Sequence, residues 1–469
     1  MSIFSQGVSL SAFLGIGILA VVAANAAMAA LAIVLRARST GNFTSLPLAR
    51  VAEMPLPFFS VHVPAHDEPP GLLIATLNAL AAVDYPAFEV ILMDNNTPDA
   101  AVWEPVRAHC ERLGPQFRFV HRDGVVGAKA GALNLALAMA DQRTTHVAIV
   151  DADYCVAPEF LACAARALAN HQADYLQFPQ AYLHGPSAQP VATELGDYFR
   201  GHAMAANASG SMLLTGTLSV IALDWLKAVG GWPAGTITED ADLGLALYTQ
   251  GARGVFLNQV VGRGLLPLDF EGLVIQRHRW VAGNMQTLAR NVRDLTGGNG
   301  VSGLVSVVAQ LLAWPQFAAF PVLALLASAG MRQANGFAAP WALVEAVSAG
   351  TIFIIMLAML LEQLVVRRQP EALVVKLALL WTSSLAWLPL LWGQKPTFRR
   401  TPKGDRATPA LPMPMLLGGG LLMAGAAMLM NQAPLSALAL LVPLLSLPAA
   451  ALVDRALSAP EGTSQPCNA

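Results

Sequence analysis

Charge is what this 469-residue chain has least of: only 12% of its residues are Asp, Glu, Lys or Arg, against roughly 25% in an ordinary soluble domain. With 55% hydrophobic residues and a mean hydropathy of +0.52, part of the chain must lie in lipid. Neither sign of charge is in excess. The net charge of −2 gives no global basic field, so nucleic acid is set aside as a partner. Cysteine is scarce as well. Cys110, Cys155, Cys163 and Cys467 show no CxxC spacing and have too few histidines nearby for a zinc site, which leaves them as structural thiols.

The few charges are unevenly spread, and they divide the chain. Met1 to Leu35 carries none and reads as a transmembrane helix over 8–35. Arg36, Arg38 and Arg50 follow it and orient the next domain to the cytoplasm. A cleaved signal peptide is the rival reading, but the positive n-region is missing. Residues 50–295 have the texture of a soluble α/β domain, with β-rich runs at Phe58–Val63, Val90–Met93, Phe117–Val120 and His146–Val150 between helical segments. No charge stands between Asp294 and Arg332, and two transmembrane helices are expected over 301–366. The stretch 371–406 is read as an interfacial helix followed by a basic loop. Treating it as a span would put Lys395, Arg399, Arg400, Lys403 and Arg406 outside, against the positive-inside bias. Residues 409–453, uncharged and broken by Asn431-Gln432-Ala433-Pro434, predict a hairpin of two more spans. Five spans in all are expected, with a disordered tail over 456–469.

Polar groups concentrate where predicted strands end, the edge at which open α/β sheets bind ligands. The first strand runs into Pro64-Ala65-His66-Asp67-Glu68 and the second into Asp94-Asn95-Asn96-Thr97. Gly127-Ala128-Lys129 follows, where small residues admit a close ligand and the ammonium suits a phosphate. Asp151-Ala152-Asp153 closes the fourth strand, a carboxylate pair able to hold a divalent cation that bridges to phosphates. Glu239-Asp240 opens a helical pattern, and Gln276-Arg277-His278-Arg279-Trp280 sets a planar cation beside an indole. Each also has a plain account, as a helix cap or an interfacial anchor.

Taken in order, this set resembles the family 2 glycosyltransferases of GT-A fold, in the membrane-bound branch of cellulose, hyaluronan and β-glucan synthases. The motifs look most like those of bacterial β-1,3-glucan and cyclic β-glucan synthases. The resemblance implies an α/β GT-A cytoplasmic domain between transmembrane helices in the inner membrane, and inverting transfer of glucose from UDP-glucose to a growing β-glucan. It implies Asp240 as the general base, and Asp94, Lys129, Asp151 and Glu68 as donor-binding residues. Glu239, Gln276, Arg279 and Trp280 would line the acceptor and pyrophosphate site, and Asp151 with Asp153 would hold Mg²⁺ or Mn²⁺. His66 and Asp67 depart from the family's usual Tyr-Asn, and Asn95 stands where a second Asp is common. Phe398-Arg399-Arg400-Thr401-Pro402-Lys403 resembles the gating loop of processive synthases. Two rivals stay open: a non-processive transferase acting on a lipid acceptor, and a non-catalytic membrane receptor or transporter, which intramembrane ionisable residues would betray. Partner subunits are not readable.

Overall fold

The computed structural model describes residues 2–39, 56–295, 300–334, 337–401, 403 and 413–459. The expected domain start at residue 50, Arg406, Cys467 and most of the tail lie outside the described residues.

The domain is built on a seven-stranded sheet in the order β3-β2-β1-β4-β8-β6-β9. Its strands are β1 (Phe59–Ala65), β2 (Phe88–Asn95), β3 (Phe117–Arg122), β4 (His146–Ile149), β6 (Tyr175–Gln177), β8 (Ser219–Ala222) and β9 (Gly254–Phe256). The shorter β5 (Cys155–Val156), β7 (Ala181–Leu183) and β10 (Gly262–Leu265) form a second sheet, in the order β5-β10-β7. β1 pairs in parallel with both β2 and β4, while β8 runs antiparallel to β4 and β6. β2 is buried at every position, as expected of a central parallel strand covered on both faces, and this is why it reads as a near-continuous apolar run. Polar groups inside the sheet are paired. Ser60 Oγ donates to Glu89 Oε1 at 2.8 Å, and Arg118 reaches the other Glu89 oxygen at 3.0 Å. His62 is buried mid-strand, and loss of water holds its imidazole down at about 3, so it packs as a neutral ring rather than serving the site.

This strand order brings the carboxyl ends of β1, β2 and β4 to one edge. The helix Ala128–Ala138 starts there from Gly127, whose φ of +91° suits glycine. A Cβ on Gly131 would collide with the Val126 carbonyl, so small residues are required where this helix packs back on its own loop. The helix Glu239–Thr249 and the long helix Phe270–Asn291, capped by Asp269 accepting from Gly272 N at 2.8 Å, complete the walls.

Among the described residues, three helices are long and apolar enough to cross a bilayer: Leu10–Arg38, Ala339–Val366 and Pro434–Ser458. The expected five are thus corrected to three by length and composition. A fourth would come from Pro370–Ala378 and Leu380–Trp392 if that pair, bent by 56°, formed one span. Among the described residues, the stretch where two transmembrane helices were expected, 301–366, holds the helices Gly300–Leu311, Ala319–Gln333 and Ala339–Leu361, the last continuing as a π-helical turn to Val366. Trp314-Pro315 interrupts the apolar run, since proline lacks the N–H that would continue a helix. Arg36 at the end of the first helix reaches the carbonyls freed by that break, with Nη2 2.5 Å from Pro315 O and 3.4 Å from Leu312 O. Met413–Leu429 is apolar but short of a span. The last helix runs to Ser458, so the expected boundary of the tail at 456 is also corrected.

Candidate active site

A cleft with a cavity volume of about 430 Å³ opens at the carboxyl edge of the sheet. It is lined by Glu68, Lys129, Asp151, Asp153, Glu239, Asp240, Gln276, Arg279 and Trp280, nine of the ten site residues expected from sequence. The sequence read these as separate motifs. The fold brings them together from β1, β4 and three helices.

Asp94 is the exception. It sits at the tip of β2 but is buried and does not line the cleft. Its Oδ1 accepts from Thr97 Oγ1 at 2.6 Å, and its Oδ2 lies 2.7 Å from His121 Nδ1 across the β2–β3 register. His121 is stacked on Trp103, with centroids 4.6 Å apart. The neighbours Asn95 and Asn96 face the cleft in place of Asp94. Loop tips here are tied to one another. Asp67, at φ +50°, donates its N–H to Thr97 Oγ1 at 2.8 Å, and Asn96 both donates to and accepts from the Val125 backbone at 2.8 and 2.9 Å.

Ionic order in the cleft is tight. Lys129 Nζ lies 2.5 Å from Asp151 Oδ1 and 3.8 Å from Glu239 Oε1. Burial disfavours its charge, but Asp151 and Glu239 outweigh that and push the ammonium up to about 12. Burial likewise works against charge on Asp151, yet Lys129 holds the carboxyl below its ordinary range. Asp240 goes the other way. Desolvation first, then the adjacent Glu239 carboxylate, push it up to about 7, with Lys129 opposing. A Cβ on Gly216 (φ +90°) would stand 3.1 Å from Asp240 Oδ2 and 3.4 Å from Lys129 Nζ, so this glycine makes room for both groups.

The basic loop contributes more than its sequence disclosed. Arg400 lies 3.3 Å from Glu68 Oε2 and 3.5 Å from Asp67, and Lys403 lies 2.9 Å from Asp153 Oδ1 and 3.9 Å from Glu68 Oε1. Phe398 sits under the Arg279 guanidinium at 5.0 Å. Five carboxylates (Glu68, Asp151, Asp153, Glu239, Asp240) therefore meet four cations (Lys129, Arg279, Arg400, Lys403) among the lining residues. Tyr154, Tyr182, Gln180 and Thr215 also line the cleft, and no motif pointed to them.

No group of three or more His, Cys, Asp or Glu placed to hold a metal occurs among the described residues. Asp151 and Asp153 nevertheless fit a divalent cation of the kind that takes one or two carboxylates and completes its shell with water and substrate phosphates. Both face the same cleft, and Asp151 is anchored by its N–H donating to Thr217 Oγ1 at 3.0 Å.

Beside Asp240, a smaller cavity of about 60 Å³ has Trp280, Trp314 and Tyr198 among its lining residues. The two indoles are 5.0 Å apart, and Tyr198 stacks on Trp314 at 5.7 Å. Arg277 lies 4.3 Å over Trp314 and is held by Glu194 at 2.6 Å.

Residues 56–283 match the family described as Glycosyltransferase like family 2. The cellulose synthase catalytic subunit [UDP-forming] of Xanthomonas axonopodis pv. citri is 28% identical over 251 residues, 51% of this chain and 33% of that protein. Probable glucomannan 4-beta-mannosyltransferase 1 of Arabidopsis thaliana is 27% identical over 258 residues, 52% of this chain and 46% of that one. The matched stretch thus spans less than half of those relatives' own length. In fold, the chain is similar to a mannosyltransferase from Pyrobaculum calidifontis, solved in complex with GDP-Man and Mn2+. The TM-score is 0.53 at 20% identity, covering 82% of this chain and 100% of that one, and the GT-A-like mixed α/β architecture agrees with the expectation from sequence.

Proposed function

We propose that this chain, whose residues 56–283 match the model of the glycosyltransferase-like family 2, is an inverting hexosyltransferase that extends a β-linked glycan at the cytoplasmic face of the inner membrane. The observation that carries the reading is a single cleft holding Lys129 and the Asp151/Asp153 pair together with Asp240. A single displacement needs a diphosphate site and a base on the acceptor side. Asp240, pushed up to about 7, is poised to take the proton of an acceptor hydroxyl near neutral pH. Lys129 and Arg279 face the same space and offer positive charge to the departing diphosphate. Mg²⁺ or Mn²⁺ held by Asp151 and Asp153 would supply further charge neutralisation of that leaving group. Trp280 offers a flat apolar face to an acceptor sugar beside the base.

The donor we assign is UDP-glucose and the product a β-glucan, β-1,3-glucan being the finer reading from the motifs. A mannosyl donor is the second reading, because glucomannan mannosyltransferases stand among the relatives. Purified protein given each labelled donor in turn should transfer glucose from UDP-glucose into a chain resolvable by size. Incorporation from GDP-mannose alone would move the assignment to a mannan. A one-sugar lipid product would replace the polymer reading by the lipid-acceptor one.

Orientation follows from the basic loop. With the cleft in the cytoplasm, a cysteine at the exposed position 395 (Lys395→Cys) is expected to react with an impermeant thiol reagent only after the membrane is opened. Equal labelling in intact cells would invert the topology.

A further inference from the structure

We infer that Lys403 is a placeholder for the divalent cation at Asp153, so that metal enters together with the donor diphosphate and not ahead of it. The inference rests on the proposed use of Asp151 and Asp153 as the metal pair. Asp153 is 7% exposed, and a carboxylate that deep in a cleft is costly unless a cation faces it. Lys403 provides one at 2.9 Å and touches Glu68 at 3.9 Å, while Lys129 faces Asp151. Each carboxylate of the pair thus already carries one ammonium.

An ammonium and a divalent cation cannot share the same carboxylate oxygen at 3–4 Å without strong repulsion. Metal alone must therefore displace Lys403 from Asp153 and leave it only Glu68, 3.9 Å away and already shared with Arg400 at 3.3 Å. A nucleoside diphosphate changes that balance. It brings negative charge to which the long, flexible lysine stem can turn. The loop has other anchors: Phe398 lies under Arg279 at 5.0 Å, and Thr401 is buried with its methyl facing Gly272. Lys403 can accordingly exchange partners without the rest of its segment leaving.

The test is Mn²⁺ binding to the purified full chain, followed by electron paramagnetic resonance of the free ion, with and without UDP. In the absence of UDP, Lys403→Met is expected to tighten Mn²⁺ binding about tenfold over wild type. With UDP present the order should reverse, Lys403→Met binding the Mn²⁺–UDP pair more weakly because the diphosphate has lost its lysine. Lys403→Arg should behave as wild type in both conditions. Lys395→Met removes one positive charge from the same region at an exposed position and should move neither affinity. Equal Mn²⁺ affinity of Lys403→Met and wild type without UDP would overturn the placeholder, as would an equal gain in Lys395→Met. Absence of Mn²⁺ binding in every variant, even with UDP, would overturn the metal reading itself and the placeholder with it. Loss of sugar transfer with normal Mn²⁺–UDP binding would instead point to a failure of the proposed reaction.

Discussion

Asp240→Asn is expected to lower kcat by about 10²–10⁴-fold, the range for removing a general base, with the donor KM nearly unchanged. The side chain keeps its size, and the hydrogen bond it accepts from the Ala241 N–H at 2.9 Å can be made by an amide oxygen as well. Only proton acceptance is lost. Glu239 is the control: it is buried and lies 3.8 Å from Lys129, so Glu239→Gln should act on donor binding through that ammonium. The pH profile gives a second readout. Asp240 must be ionised to act, and burial with Glu239 places it at about 7. In the free enzyme, kcat/KM should therefore rise with pH up to about 7 and level off above. Asp240→Asn should abolish that acid limb. Near-normal turnover in Asp240→Asn together with loss in Glu239→Gln would make Glu239 the base.

Strands and chemistry were legible at the same places for the same reason. β1, β2 and β4 are largely buried, so their sequences are mostly apolar, with the few internal polar groups paired, until the chain leaves the sheet, and the polar residues that follow β1 and β4 are among those lining the cleft. Asp151 and Asp153 were visible because Val147–Val150 precedes them. β8 and the three-stranded sheet were not legible, since segments of two to four residues leave no alternation to read. Asp94 shows what residue type leaves out. A carboxylate at a strand tip pointed to the donor, but its two partners, Thr97 and His121, are set by a turn and by cross-strand register. The hydropathy of 295–331 promised a continuous span, and only the seating of Trp314-Pro315 against Arg36 shows why it is divided. The contacts of Arg400 and Lys403 depend on how the segment after the bent helix pair folds back over β1 and β4, which no local pattern encodes.

The buried pair of Arg277 and Glu194 should be the most sensitive structural element near the site. Its side chains are 4% and 1% exposed and 2.6 Å apart. Arg277→Ala strands the Glu194 carboxylate without a cation, and breaking such a pair from one side costs about 3–5 kcal/mol. Thermal unfolding of the detergent-solubilised protein should show a large drop in melting temperature. Replacing both partners by apolar residues of similar length, Arg277→Met with Glu194→Leu, removes two desolvated charges at once and should return most of the loss. Its effect on turnover should differ. The Arg277 guanidinium spans Trp314 at 4.3 Å and Trp280 at 5.8 Å, so without it the indole beside Asp240 is no longer fixed and the acceptor KM should rise while the donor KM holds. Equal melting temperatures for the single and double variants would show that packing of the arginine stem, and not the stranded charge, sets the cost.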